Sequence, residues 1–434
     1  MNIPMQIEPR VLKGFRDFLP EAEMRRRDLS RILEDCFSSF GFVPIDTPVL
    51  EYTEVLLGKG GGETDKQVYR FTDHGERDVA MRFDLTVPFA RYMALHRPDL
   101  YLPFKRYHIG KVFRGENTQR GRYREFTQCD FDIVGTTAPS ADLEIVLMIA
   151  AAFKALNIPG ITIHVSHRAV FNRFLAHHNA AGAAVEVLRT VDKLRKVGAQ
   201  TTRQTLADLT SPDVAEKTLR FINATGTPAE IISVMEELAG GPDEDTQRLH
   251  AVTAAVDQLG LSDVVRLDPS ITRGLDYYTG IVFETFLNGA EKIGSVCSGG
   301  RYDDLVGLYS KEAMPGVGAS IGLDRLIAGL DELALPMDGT RGADALVTMQ
   351  DETLTAHYHH IASTLRERGI RCEVFPEAQK LGRQFAFAEK KGIPYAIIIG
   401  RREYEAGTMN LRVLADRRNV DDLDIDRLVA TLNV

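Results

Sequence analysis

The segment from Lys105 to Arg124, KRYHIGKVFRGENTQRGRYR, sets seven basic side chains (Lys105, Arg106, Lys111, Arg114, Arg120, Arg122, Arg124) against one acid, Glu116, a local charge of +6. Guanidinium groups make paired, charge-assisted bonds to phosphate oxygens, so a hairpin carrying them could hold a polyphosphate. A solvated basic hairpin has the same composition. A second element combines Gly299-Gly300-Arg301-Tyr302-Asp303 with Gly316-Val317-Gly318-Ala319-Ser320-Ile321-Gly322-Leu323-Asp324-Arg325. Glycines at alternate strand positions clear one face for a flat ligand. A helix after Gly322 would set Arg325 at its anion-favouring start. Close helix–strand packing explains such glycines more often than a nucleotide does. Neither a P-loop nor a dinucleotide fingerprint is present. Third, Thr272-Arg273-Gly274-Leu275-Asp276-Tyr277-Tyr278-Thr279-Gly280 offers one cation and two amphipathic rings for a small polar pocket, or a turn before a half-buried strand.

Weaker signals are Asp84-Leu85-Thr86 and the trio Gln128, Asp130 and Asp132, which alternation puts on one strand face. Either a polar pocket or a solvated sheet face would have that pattern. His357-Tyr358-His359-His360 suggests a metal only until helical spacing turns His359 away from the other two, and no acid or cysteine completes a set. Gly60-Gly61-Gly62 lacks a following lysine at P-loop spacing, and a loop that closes over a ligand is the fairer expectation.

The elements that must position these residues can be read in outline. Leu29, Ile32, Leu33, Cys36, Phe37 and Phe40 form one apolar helical stripe, stopped by Gly41. Phe42 to Pro48 reads as extended. Arg82 to Val134 reads as mostly strand, with turns at Gly110 and at Gly115 to Gly121. A helix is expected from Asp142 to Leu156. Polar, alanine-rich helical text fills 166–261, and strand text resumes at Tyr277–Phe286 and Ala313–Ile321. After a linker at 336–342, strands at Ala345–Met349, Arg371–Phe375 and Tyr395–Ile399 alternate with helices at Thr353–Arg368 and Leu381–Lys391. A hairpin near Ala406-Gly407 and a last helix complete a small α/β domain.

Composition bounds the rest. The chain has 434 residues, with 44% hydrophobic and 26% charged. That is the balance of a soluble globular protein with several domains. No apolar run reaches the roughly 20 residues of a membrane span. The four cysteines are too far apart for a CxxC site, and a reduced cytoplasm is the expected compartment. The start of the chain shows no secretory pattern. A net charge of −9 argues against bulk nucleic-acid binding but leaves room for local basic surfaces.

In this order, the segments resemble the histidyl-tRNA synthetases, a class II aminoacyl-tRNA synthetase family, over nearly the whole chain. Gly41 to Pro48 looks like class II motif 1, Phe113-Arg114-Gly115-Glu116 through Arg124-Glu125-Phe126 like motif 2, and Gly316 to Arg325 like motif 3. RGLDYYTG at Arg273–Gly280 and SGGRYDDL at Ser298–Leu305 resemble the signatures particular to histidine. The resemblance implies an α+β fold: an antiparallel-sheet catalytic domain over 1–335 with a helical insertion at about 166–261, and an α/β anticodon-binding domain over 343–434. It implies activation of L-histidine with ATP, release of pyrophosphate, and transfer of histidine to the 3′ end of tRNA(His) by a homodimer, with Mg²⁺ screening the β- and γ-phosphates; no residue is singled out as a metal ligand.

Residue by residue, the resemblance implies that Arg114 bridges the ATP α-phosphate and the histidine carboxylate, with Arg273 pressing on that phosphate from the opposite side. Glu116 would meet the adenine amino group, Phe126 would stack on the ring, and Arg122 and Arg325 would hold the β- and γ-phosphates. Asp84 and Thr86, with Leu85 between them, would bind the ammonium. Gln128, Asp132 and Tyr277 or Tyr278 would complete the amino-acid pocket. Asp84-Leu85-Thr86 stands where many bacterial relatives have Glu-Gly-Thr, which keeps an acid and a threonine in place. The basic run Lys380–Arg402, with a net +5, would suit an anticodon loop. The alternative is a non-catalytic, histidine-sensing paralogue, the regulatory subunit of ATP phosphoribosyltransferase, against which the presence of Arg273 and of the C-terminal domain count. An uncharged-tRNA sensor would need a kinase signature, which the sequence lacks.

Overall fold

The computed structural model describes residues 7–58, 63–271, 277–335 and 342–432. The chain divides into two compact units, Met1–Asp17 with Arg26–Pro336, and Phe18–Arg25 with Met337–Val434.

The first unit has eleven strands among its described residues: β1 (Val43–Pro44), β2 (Leu50–Tyr52), β3 (Arg70–Thr72), β4 (Asp78–Met81), β5 (Phe104–Phe113), β6 (Glu125–Val134), β7 (Ile161–His167), β8 (Val265–Leu267), β9 (Ile281–Leu287), β10 (Cys297–Tyr302) and β11 (Gly316–Gly322). Eight of them form one sheet in the order β1-β5-β6-β11-β10-β9-β7-β8, and β2-β4-β3 form a small second sheet. The large sheet is antiparallel except at its two outer pairs. Its two faces differ in kind. On β6, Cys129, Phe131 and Ile133 point to the helical layer, where Phe131 packs on Phe37 with ring centroids 4.9 Å apart. The alternate residues Gln128, Asp130 and Asp132 point to the other face. Register places Arg106 and His108 of β5 beside Asp132 and Asp130, and Gly318 and Ser320 of β11 beside the same two acids. Five polar side chains and a glycine therefore share one buried patch.

The first helix is Pro20–Ser39, and its buried Leu29, Leu33, Cys36 and Phe37 are the stripe read from the sequence. It begins well before that stripe. Gly41, at φ 79°, turns the chain out of it. Two expectations fail within Arg82–Val134. Thr86–Leu95 is a helix, with Pro88 tolerated in its first turn; Thr86 to Ala90 are all buried, so no one-sided stripe marks it. Gly110 is a mid-strand residue of β5, where a Cβ would lie 2.7 Å from the Arg82 guanidinium. Ser166 and His167 end strand β7, and helices fill the chain from Arg168 to Gln258 before β8.

The second unit carries β12 (Ala345–Val347), β13 (Cys372–Val374), β14 (Tyr395–Ile398), β15 (Met409–Val413) and β16 (Asn419–Leu423) in the order β13-β12-β14-β15-β16. Helices Thr355–Glu367, Leu381–Lys390 and Ile425–Leu432 accompany them, over a core that includes Tyr358, Leu365, Ile397 and Leu411. Ala406 and Gly407 do not form a hairpin. They end a short helix, Arg401–Ala406, with Gly407 in the left-handed conformation as its cap, and the hairpin lies between β15 and β16.

Candidate active site

The polar patch on the large sheet continues into the start of helix Thr86–Leu95. Asp84 is wholly buried there, and its Oδ1 accepts from the Val87 N–H at 3.0 Å, as a helix-start carboxylate does. Its Oδ2 accepts from the Tyr277 hydroxyl at 3.2 Å. The Thr86 hydroxyl donates to Asp130 Oδ2 at 3.4 Å. Asp132 Oδ1 accepts from the Tyr302 hydroxyl at 2.6 Å, and Arg106 NH2 lies 2.7 Å from Asp132 Oδ2. Arg106 is itself wholly buried, lies over the Phe89 ring at 4.2 Å, and reaches the Leu85 carbonyl oxygen at 3.5 Å. Gln128 gives its Nε2 hydrogen to the Ser320 hydroxyl at 2.8 Å. Tyr277 and Tyr278 stand edge to face, centroids 5.0 Å apart, and both are half-buried.

Burial dominates the electrostatics here. It raises the carboxyl pKa of Asp84, with the Val87 N–H and Arg114 opposing, and that of Asp132, with Arg106 and Tyr302 opposing. Asp130 is pushed up to about 7 by burial, offset in part by Arg106 and reinforced by Asp132. Burial and the neighbouring acids hold the Tyr277 and Tyr278 phenols well above their ordinary value, so both are neutral donors. Three buried acids outnumber the two buried guanidiniums near them, Arg106 and Arg82, and leave the patch suited to a cationic or strongly donating ligand.

The arginine side of the site is built at the ends of β5 and β6. Arg114 follows β5, gives its Nε hydrogen to the Phe83 carbonyl oxygen at 2.8 Å, and sits 5.2 Å from the Phe126 ring centroid. The same guanidinium is 3.9 Å from Glu116 Oε1, and Arg122 NH1 is 3.1 Å from Glu116 Oε2. Arg325, in the first turn of helix Leu323–Glu332, donates to the Ser295 carbonyl oxygen at 2.7 Å. Burial, then the positive fields of Arg122 and Arg114, push its guanidinium down to about 10, still fully charged at neutral pH. The helix is anchored by its neighbour Asp324, which accepts from the Thr127 backbone N–H at 2.8 Å, Arg26 at 2.6 Å and Arg16. Three arginines thus converge beside one glutamate, an arrangement that stores positive charge for an anion.

Of the residues singled out in the sequence, Asp84, Leu85, Thr86, Gln128, Asp132, Tyr277 and Tyr278 fall around the acidic patch. Arg114, Glu116, Arg122, Phe126 and Arg325 fall around the arginine cluster, and Arg114 joins the two through its field at Asp84. Arg273 lies outside the described residues, as does Gly60-Gly61-Gly62. Arg106 was visible only as one of seven basic residues, and Tyr302 only as part of a glycine-rich string. Strand alternation across the hairpin could have paired Arg106 with Asp132; nothing local could have joined Tyr302 to it. The alternate glycines have a different cause from either reading made of them. A Cβ on Gly318 would lie 2.0 Å from Asp132 Oδ1 and one on Gly316 2.5 Å from the Tyr302 ring, so these two make room for the pocket's own side chains. Gly299 and Gly300 instead lie first against neighbouring backbone, where a Cβ would be 2.2 Å from the Gly318 and 2.8 Å from the Ile281 carbonyl oxygen.

Comparison with known proteins agrees along the chain. Residues 14–326 match the family model for histidyl-tRNA synthetase, and residues 344–434 match that of the anticodon binding domain. A histidine–tRNA ligase of Treponema denticola is 50% identical over 402 residues, covering 91% of this chain and 90% of the relative. One from Rhodopirellula baltica is 45% identical over 421 residues, covering 96% and 95%. The crystal structure of histidyl-tRNA synthetase from Nostoc sp. PCC 7120 superposes with a TM-score of 0.88 at 32% identity, covering 99% of both chains.

Proposed function

The chain belongs to the histidyl-tRNA synthetase family, and on that premise we propose how its residues divide the reaction. The chemistry is that of an AMP-forming ligase: L-histidine and ATP give histidyl-adenylate and pyrophosphate, and histidine then passes to the 3′ end of tRNA(His). The observation that carries the division is the position of Arg114, held at 2.8 Å on the carbonyl oxygen of Phe83, next to Asp84, and standing 3.9 Å from Glu116 and 5.2 Å from the Phe126 ring centroid.

Asp84 and Thr86 take the histidine ammonium. Asp132, held by Arg106 and Tyr302, takes the imidazole together with Gln128 and the Tyr277 and Tyr278 phenols. Leu85 shapes the wall between them through its carbonyl contact with Arg106. The histidine carboxylate and the α-phosphate meet at Arg114. Attack of that carboxylate on phosphorus builds negative charge on the non-bridging oxygens, and a guanidinium already fixed by the Phe83 carbonyl pays little reorganisation to stabilise it. Arg273, outside the described residues, is assigned the opposite side of the phosphate. Glu116 and Phe126 receive the adenine, and Arg122 and Arg325 the leaving pyrophosphate.

Mg²⁺ would travel on the ATP phosphates, since it keeps water and phosphate oxygens as ligands readily, with the arginine cluster beside it taking the remaining phosphate charge. Bound there, it would screen the β- and γ-phosphate charge. In the second unit, Lys380, Arg383 and Lys390 have no acidic partner among the described residues, whereas Lys391 pairs with Glu373 and Arg401 with Asp351. The unpaired three are assigned to the tRNA backbone. The working form is taken as a cytoplasmic homodimer; no helix among the described residues is long and apolar enough to cross a membrane.

Arg273→Ala tests the division. It should slow adenylate formation greatly while histidine binding, followed by calorimetry, stays measurable. Equal loss of both contradicts the role given to Arg273.

A further inference from the structure

The pocket floor carries more carboxylate than guanidinium, and the excess falls on Asp130. Arg106 NH2 is 2.7 Å from Asp132 Oδ2 but 3.9 Å from Asp130 Oδ2. Asp132 is satisfied further by Tyr302, and Asp84 by Val87 N–H and Tyr277. Asp130, only 1% exposed, has the Thr86 hydroxyl on Oδ2, while its Oδ1 finds no partner at hydrogen-bonding geometry among the described residues.

The groups that face it from each element do not make up the difference. On β5, His108 is opposite in register; burial, Arg106 and Arg82 push it down to about 3, so it is neutral, and its Nε2 is 3.0 Å from Asp46. Arg82 attracts Asp130 through its charge but gives its hydrogens to the Thr47 and Lys111 carbonyl oxygens. On β11, the Ser320 hydroxyl accepts from Gln128 and turns its own hydrogen towards Asp130, which lowers the carboxyl pKa in part without supplying a charge. On β10, Cys297 is a buried thiol pushed further up by Asp130. Tyr277 and Tyr278 are neutral phenols.

We propose that Asp130 is a further specificity-determining residue of the amino-acid pocket, holding one proton that it shares with the imidazole of bound histidine. The inference rests on reading Asp84, Asp132, Tyr277 and Tyr278 as the histidine pocket. The proton sits on Asp130 in the empty site or is taken from water on binding. In the complex it lies between a carboxylate oxygen and a ring nitrogen. Neutral acid with neutral ring, or carboxylate with imidazolium, are then two descriptions of one proton count, and no other bond changes. The Asp130 carboxyl at about 7 is close to imidazole at about 6.5, the match at which a proton is shared most evenly. A side chain with no basic nitrogen there leaves Asp130 with an unshared proton or an uncompensated buried charge. That penalty is how a polar pocket rejects a near-isostere.

Calorimetry of histidine binding to the full chain, run from pH 6.5 to 8.5 in two buffers of different ionisation enthalpy, reads the protons exchanged. At pH 8 and above, neither the empty pocket nor the free ring holds the proton, so wild type should take up about one more proton per histidine than Asp130→Asn does. Its Kd should rise about tenfold per pH unit relative to that of the variant over the same range. The substrate ammonium titrates alike in both and cancels. Asp130→Glu should restore the uptake. Equal uptake in wild type and Asp130→Asn overturns the proposal. Should Asp130→Asn fail to bind histidine, Asp130→Glu decides: uptake by it supports the shared proton, and its absence overturns it. The underlying pocket is tested apart from this by Asp132→Asn, because histidine binding as tight as in wild type would remove the pocket whatever Asp130 does.

Discussion

The Tyr302 hydroxyl donates to Asp132 Oδ1 at 2.6 Å although the two residues lie on strands that are not neighbours. Strand β11 runs between them, and its glycines leave the path open. A Cβ on Gly316 would lie 2.5 Å from the Tyr302 ring, and one on Gly318 2.0 Å from Asp132 Oδ1. Two separate sequence strings, Ser298–Leu305 and Gly316–Arg325, thus serve one hydrogen bond: Gly316 and Gly318 of β11 leave room for the tyrosine of β10 and the acid of β6. A charged acceptor held this way contributes about 1.5–3 kcal/mol and fixes the direction of the carboxylate.

Gly318→Ala should therefore displace Asp132 and abolish measurable histidine binding, while ATP binding at the arginine cluster persists. Gly307→Ala, where a Cβ meets nothing within 4 Å, is the matched control and should bind histidine as wild type does. Calorimetric titration of both variants with each ligand checks the pair.

How much of this could be read beforehand differs from part to part. The helix stripe at Leu29, Leu33, Cys36 and Phe37 was legible because one face is buried and the other wet. The helix at Thr86–Leu95 was not, because its first turn is buried on all sides and no periodicity survives. Gly110 read as a turn for want of knowing that the Arg82 guanidinium fills the space its Cβ would need. Gly407 read as a hairpin for want of the helix it caps. In the site, residues inside contiguous strings could be named, and the arginines and the acids could be grouped. Arg106 and Tyr302 did not stand out because their partner, Asp132, lies on another strand, whereas Asp130 could be placed on the polar strand face but not told apart from Gln128 and Asp132.

Arg106 is a buried charge whose removal exposes the acids it serves. Arg106→Met should lower stability by about 3–5 kcal/mol, the usual result of stranding one member of a buried pair. Adding Asp132→Asn should recover part of that stability without recovering histidine binding. Urea unfolding of the single and double variants, with histidine titrations alongside, separates the structural role from the binding one.

Acid should destabilise the fold through His167. The ring is 1% exposed, at the end of β7, and burial with the fields of Arg248, Arg301 and Arg173 pushes it down to about 3. The unfolded chain protonates this residue near 6.5 and the native state does not, so its contribution to stability falls as pH drops from about 6.5 towards 3, by up to about 1.4 kcal/mol per pH unit. The raised carboxyls of Asp84, Asp130 and Asp132 act in the opposite sense, since the native state holds their protons to higher pH. The comparison of His167→Gln with wild type isolates the histidine: urea midpoints of the variant should fall less steeply with acid over that window. Parallel curves would mean that His167 is charged in the native state.

The most direct test of the whole account is ATP–pyrophosphate exchange by the purified chain without tRNA, run with histidine and with each other amino acid in turn. Exchange should depend on histidine alone, because on the proposed division only an imidazole offers ring nitrogens to the acids and phenols of the pocket, and other rings would leave them unpaired. Saturable histidine binding without exchange would contradict the account and leave the arginine cluster a structural feature of a histidine sensor.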